Sequence, residues 1–103
     1  MPALTEDRAA TIVAEFTRIA LALREAKNGE DAAICEAIER ANSLGAVVTF
    51  RPEFVSVEVH GIDQLATIRI RPRTYASALA GCFSHLAVVA RIEQRKLEDV
   101  MPS

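Results

Sequence analysis

Apolar residues in the first 45 positions recur every three or four residues, which is the spacing of one helix face. A first helix is predicted over residues 5–28, with Thr5 as its N-cap and the Asn28-Gly29 pair as its end. A second, shorter amphipathic helix is predicted over residues 31–44, and the short break between them predicts an αα-hairpin. Leu21 falls outside the apolar stripe of the first helix and has no place on its buried face.

The periodicity changes from 3.6 to 2 at Ala46, and residues 46–72 predict a meander of three strands. Apolar and polar residues alternate over 54–60 and 65–71, and the connection between these runs is short enough for a hairpin. One face of this hairpin is predicted to be buried and carries Val55, Val57, Val59, Ala66, Ile68 and Ile70. The opposite face is predicted to be solvated and carries Ser56, Glu58, His60, Thr67, Arg69 and Arg71.

A long third helix is predicted over residues 74–98, because Pro72 ends the last strand and Thr74 can act as an N-cap. One face of this helix carries Ala76, Leu79, Phe83, Leu86, Ala90 and Leu97. On roughly the opposite side lies a second apolar row, here called the second stripe, formed by Ala78, Gly81, His85, Val88 and Ile92. Two apolar faces need two partners. Either the helix lies between the sheet and the αα-hairpin, or the second stripe packs on another copy in a homodimer that also covers Leu21.

The composition, with 50% hydrophobic and 25% charged residues, is that of a globular chain, and residues 1–103 fit one domain. The net charge of −2 gives no overall field that favours nucleic acid or an anionic membrane. The N-terminus lacks the basic start and apolar run of a secretory signal, and no uninterrupted apolar stretch approaches the roughly 20 residues that span a bilayer. We therefore expect a cytoplasmic protein with no membrane partner.

Candidate chemistry is sparse. Cys35 and Cys82 belong to no CxxC pair and are predicted to be buried, reduced thiols. Cys82 and His85 lie one helical turn apart, but zinc needs three or four protein ligands, so no metal is expected. A nucleophile elbow, P-loop, GxGxxG or HExxH motif is absent, so we assign no catalytic residue and no cofactor. An enzyme would need a dimer cleft that assembles Arg73, Tyr75 and His85.

Arginines give the predicted meander its one basic feature, at Arg51, Arg69, Arg71 and Arg73. Alternation places the last three on one face, where they are suited to phosphate, although Glu58 would balance part of this charge on a solvated face.

Within residues 55–72 of the predicted hairpin, Val57, Val59 and Gly61 lead into Ile68, Ile70 and Pro72. This pattern resembles the hairpin of the YbaB-like nucleoid-associated family, small DNA-binding dimers in which two valines and a glycine lead into two isoleucines and a proline. This chain departs from the family in its two-helix N-terminus and in the shorter segment that follows Pro72. The resemblance implies a DNA-binding dimer whose phosphate contacts would be the four arginines.

Together these patterns predict an α+β fold of order α-α-β-β-β-α, with helices on one face of a three-stranded antiparallel sheet. The absence of recognisable chemistry favours a non-enzymatic interaction protein that acts as a homodimer and binds a protein partner through the arginine-bearing sheet face or a helix groove. The alternatives are a DNA-binding dimer and a small-ligand enzyme with a site at a dimer cleft. Candidate partner or phosphate contacts are Arg51, Glu58, His60, Arg69, Arg71 and Arg73. Candidate dimer contacts are Leu21, Ala78, Gly81, His85, Val88 and Ile92.

Overall fold

Three helices and three strands follow one another in the predicted order in a computed structural model that describes residues 4–26, 30–71 and 74–100. The elements are α1 (Glu6–Glu25), α2 (Glu30–Ser43), β1 (Ala46–Phe50), β2 (Phe54–Val59), β3 (Ala66–Arg69) and α3 (Tyr75–Val100). This order, with its antiparallel sheet, confirms the predicted α+β fold. The predicted Asn28-Gly29 break lies outside the described residues, as do Pro72 and Arg73.

α1 begins where its predicted cap, Thr5, places it, and α2 begins one residue before the predicted start. The Thr5 hydroxyl accepts a hydrogen bond from the Arg8 backbone N–H at 3.1 Å, and Glu6 and Asp7 occupy the first turn of α1, near the positive end of the helix dipole. α2 ends at Ser43 and is followed by Gly45, whose positive φ of 85° suits a glycine. α2 packs against α1 and β1.

The sheet is antiparallel in the order β1-β2-β3. Val55 lies opposite Ile68, and Val57 lies opposite Ala66, which confirms the predicted pairing of apolar residues on one face. The last strand is shorter than predicted and ends at Arg69, although the Ile70 N–H still donates to the Glu53 carbonyl at 2.9 Å.

α3 lies between α1 and the sheet. On one side, the ring of Phe83 packs edge-on against Phe16 of α1, with their centroids 5.0 Å apart. On the other side, the Cys82 Sγ lies 3.5 Å from the Val55 carbonyl oxygen and 3.8 Å from that of Ala66. The helix therefore supplies apolar surface to two layers, which explains why so much of its N-terminal half is apolar.

The helical segment Tyr75–Asp99 is also long and apolar enough to cross a bilayer by length and composition, with a mean hydropathy of 1.3 over its best 18 residues. The polar interruptions that we expected to exclude such a span do not prevent it from meeting this test. However, 56% of that window is buried inside the protein, as in the core helix of a soluble protein.

The start of α3 is capped from within the helix and from a distant helix. The Thr74 hydroxyl accepts from the Ser77 N–H at 3.1 Å, as its position predicts, while the Glu30 carboxylate of α2 accepts from the Ala76 N–H at 3.2 Å. A carboxylate at this end of a helix also interacts favourably with the helix dipole. The Glu30 hydrogen bond therefore joins the start of α3 to the start of α2.

Arg8 of α1 joins two turns that sequence analysis treats as separate. Its guanidinium donates to the carbonyl oxygen of Leu44 at 3.1 Å and to that of His60. The turns contain Gly45 and Gly61, both with positive φ, and a Cβ on either glycine would lie within 3 Å of an Arg8 nitrogen. The positive φ therefore favours glycine at both positions, and a Cβ at either one would also displace the Arg8 guanidinium.

Candidate functional site

The second stripe of α3 divides into a covered half and an exposed half. Ala78 is fully buried, and Gly81 packs so closely on β3 that a Cβ there would lie 2.5 Å from the Ile68 Cδ1. His85, Val88 and Ile92, by contrast, are exposed. The prediction that α3 lies between two layers therefore holds for its N-terminal half, and Ala78 is not available to a partner because it is buried.

The exposed half of the stripe borders a groove between α1 and α3, called here the α1/α3 groove, with a volume of about 500 Å³. Three large aliphatic side chains in it are about half exposed: Leu21 (54%), Val88 (58%) and Ile92 (49%). The residues that line the groove are Val13, Thr17, Leu21 and Arg24 of α1 and Ser84, Ala87, Val88, Arg91, Ile92 and Arg95 of α3. Leu21, which had no place in the predicted core, thus lies beside two members of the second stripe.

Helical spacing explains why these residues share one surface. Val88 and Ile92 are one turn apart on α3, and Arg91 and Arg95 follow Val88 by three and seven residues, so they lie close to the same line. The apolar pattern of the sequence does not by itself identify these arginines as part of the surface. The spacing of Arg91 and Arg95 relative to Val88 was the signal that could have identified them.

The groove arginines differ in their pairing from two other helix arginines, Arg18 and Arg40. On the helix surfaces, Arg18 pairs with Glu15 at 3.6 Å, and Arg40 pairs with Glu36 at 3.3 Å. Arg24, Arg91 and Arg95 form no ion pair within residues 4–26, 30–71 and 74–100. The groove thus combines a half-exposed aliphatic floor with three arginines that form no ion pair in the described residues.

A second basic region, the arginine-bearing face of the sheet, has acidic and apolar residues beside its arginines. Arg69 and Arg71 line an open depression with Glu53, so a carboxylate lies among the predicted phosphate contacts. Phe54 is directly opposite Arg69 in the sheet and is 39% exposed. Arg51 is exposed at the end of β1.

The remaining sequence-predicted contacts on this side of the protein are spread out. Glu58 lies opposite Val47 on β1, and Val47 is 60% exposed, so the outer sheet face is not wholly polar. His60 is exposed, lines two open depressions near the glycine turns, and holds Arg8 through its backbone carbonyl. Arg73 falls outside the described residues, so its place relative to the other arginines is not described.

The cluster that a dimer-cleft enzyme would need is not assembled within one chain. Tyr75 packs against Phe50, with ring centroids 5.8 Å apart, at the start of α3. His85 is exposed ten residues later, roughly 15 Å along the helix at the usual rise. The only way to bring the two side chains together is therefore through a second molecule.

The two cysteines lie in different environments. Cys82 is buried as predicted, and burial raises the pKa of its thiol to about 11, an effect opposed in part by a backbone hydrogen bond at Ile68. The prediction for Cys35 is wrong, since its side chain is exposed on α2, a helix that fully buries only Ala37 and Ala41. Across the described ranges, no three or more His, Cys, Asp or Glu side chains are grouped closely enough to hold a metal ion.

Comparison of the chain with models of protein families, with curated proteins and with solved structures finds no match. No family model therefore supports the resemblance of the hairpin to YbaB-like proteins.

Proposed function

We propose that this protein is a non-enzymatic interaction protein that binds an acidic protein partner through the α1/α3 groove. The observation that carries the proposal is the half-exposed aliphatic floor of the groove beside three arginines that have no ion-pair partner in the described residues. Apolar surface in a concave site with a polar rim is typical of an interaction surface, whereas single exposed apolar residues are ordinary.

The sheet side of the molecule offers a weaker surface for the same purpose. Its exposed apolar residues include Val47 and Phe54, but Ser56 and Glu58 lie between them along β2 and across the β1–β2 pair. Glu53 adds negative charge where Arg69 and Arg71 meet. In the α1/α3 groove, by contrast, half-exposed aliphatic side chains lie beside charges of one sign.

The charge of the groove also bears on the predicted homodimer. A two-fold contact between two grooves would bring Arg24, Arg91 and Arg95 of each copy near those of the other, and like charges placed together oppose association. An acidic partner neutralises the same arginines, so we assign the groove to a different chain. Homodimerisation through this face stays a prediction that the following experiment also tests.

Site-specific photocrosslinking in the native cell tests the proposal. A photoreactive residue replaces Val88 in the groove or, as a matched control, the exposed Glu39 on α2. We expect an adduct with one acidic protein from position 88 and not from position 39, and we expect Arg91→Glu combined with Arg95→Glu to remove it. The partner, identified by mass spectrometry and purified, should bind the wild-type protein and lose affinity as salt rises.

Three results would overturn this proposal: no adduct from position 88, the same adducts from both positions, or adducts only between copies of this chain. Light scattering coupled to size-exclusion chromatography provides an independent check on the last result. A stable dimer that Ile92→Asp converts to monomer would assign the groove to a second copy instead.

A further inference from the structure

We propose further, on the basis of the function above, that the part of the partner seated in the α1/α3 groove is an acidic amphipathic helix of about three turns. Its apolar stripe faces the aliphatic floor, and its carboxylates, which lie on both flanks of that stripe, meet the groove arginines. The proposal rests on the shape of the groove, the spacing of its floor and the placement of its charges.

The shape and length of the groove fit a helix. Two packed helices form its walls, so the surface between them is a channel. Its α3 wall runs from Ser84 to Arg95, a distance of roughly 17 Å at 1.5 Å per residue, which matches about three turns of a partner helix. A flat bilayer does not enter such a channel, and a duplex phosphate backbone supplies no apolar surface to its floor.

The floor of the groove matches the apolar repeat of a helix. Val88 and Ile92 are separated by one turn of α3, and Leu21 faces them from α1. Helices that dock in grooves present apolar side chains at positions i, i+3 or i+4, and i+7, which lie on one side of the helix. Such a stripe can cover all three aliphatic residues at once.

The charges lie on both walls. Arg24 belongs to α1, whereas Arg91 and Arg95 belong to α3. A helix seated between them therefore needs acidic residues on both sides of its apolar stripe. Arginine is suited to this role because its planar guanidinium can hold a carboxylate through two parallel hydrogen bonds.

A designed peptide tests this chemistry while the natural partner is still unidentified. The probe is a fluorescein-labelled helix of about 15 residues with leucines on one stripe, glutamates on both flanks and alanines elsewhere. One control has lysine in place of glutamate, and another has the same composition with the leucine stripe broken. We expect the acidic striped peptide to bind at least about tenfold more tightly than either control by fluorescence anisotropy, and to bind more weakly as salt rises from roughly 50 to 200 mM.

Charge-reversal variants locate the binding. Arg91→Glu with Arg95→Glu is expected to weaken peptide binding about tenfold or more, while Arg18→Glu with Arg40→Glu changes the net charge equally on another surface and should leave it within about twofold. Circular dichroism and thermal unfolding establish that each variant is folded. Val88→Thr with Ile92→Thr keeps the charges and removes apolar floor, so it should weaken binding as well.

The remaining outcomes each count against the helix. Equal loss in both charge-reversal variants would show a long-range charge effect, and equal binding of the three peptides would show that the groove does not select an acidic helix. Binding to vesicles of equal parts phosphatidylcholine and phosphatidylglycerol, without binding to the striped peptide, would assign the arginines to a lipid surface.

The two proposals can fail separately. A crosslinked partner that depends on Arg91 and Arg95, together with no peptide binding, would reject the helix and keep the proposed function. Peptide binding without any crosslinked partner would support the chemistry of the groove and reject the proposed function.

Discussion

The buried thiol of Cys82 should react far more slowly than the exposed thiol of Cys35. Its Sγ lies between α3 and the sheet, close to the carbonyl oxygens of Val55 and Ala66, and burial raises its pKa from 9.0 to about 11. A shift of this size lowers the thiolate fraction at pH 8 by a factor of about 100, and the thiolate is the reactive form. Access to the reagent requires an opening of the fold, which slows the reaction further.

Titration with Ellman's reagent at pH 8 separates the two thiols. We expect one equivalent to react rapidly and the second to react slowly, at a rate that rises with added urea. Cys35→Ser should remove only the rapid phase, and Cys82→Ala only the slow one. Two equivalents released at one rate in the native protein would refute the assignment of Cys82 to the interior.

The same pKa shift makes the protein less stable in alkali. When the pKa of a thiol is higher in the folded state, its contribution to the free energy of unfolding is fully present below pH 9, where the thiol is neutral in both states. This contribution is lost as the pH rises through about 11. The unfolded thiol ionises first, so the expected loss in the free energy of unfolding is about 2 kcal/mol by pH 11 and approaches about 3 kcal/mol at higher pH.

Urea unfolding at pH 8 and pH 11 measures this loss. Cys82→Ala controls for every other group that titrates in this range, because it lacks only the buried thiol. The free energy of unfolding of the wild-type protein should therefore fall by about 2 kcal/mol more than that of the variant. Equal losses in the two proteins would contradict the raised pKa.

Three further substitutions test contacts that hold distant parts of the fold together, each by chemical unfolding. Arg8→Ala should lower the free energy of unfolding by about 2 kcal/mol, because it removes two hydrogen bonds from a guanidinium to backbone carbonyls. Arg18→Ala, at an exposed position, should lower it by less than about 0.5 kcal/mol. Equal losses of stability in the two variants would exclude a special role for Arg8. Gly61→Ala should lower the free energy of unfolding by roughly 1–2 kcal/mol, because of the positive φ at this position and the contact with Arg8. The loss should be smaller when Arg8 is already alanine. If the double variant loses the sum of the two single losses, the contact is contradicted. Glu30→Ala should lower the free energy of unfolding by about 0.5–1 kcal/mol. Glu30→Gln should lower it less, since glutamine keeps an acceptor for the Ala76 N–H. Unchanged stability in Glu30→Ala would show that this cap does not stabilise α3.

Local pattern predicted the order of the elements and the faces of the sheet. Alternation along β2 and β3 identified which side chains are buried, because successive side chains of a strand point to opposite faces. The N-caps Thr5 and Thr74 were also predicted, since a capping hydroxyl acts within three residues along the chain. The predicted end of β3 was less accurate, because a strand extends only as far as its neighbour pairs with it.

Tertiary packing decided what covers each apolar face. Cys35 and Cys82 both lie among apolar neighbours in the sequence, yet Cys82 faces the sheet and Cys35 lies on an exposed side of α2. The second stripe shows the same principle, since Ala78 is buried in the folded chain and Val88 is 58% exposed. Periodicity shows which residues share a face, but burial depends on elements far away in the sequence. The meeting of Leu21 and Ile92 with unpaired arginines, on which the proposed function rests, could therefore emerge only from the packing of α1 against α3.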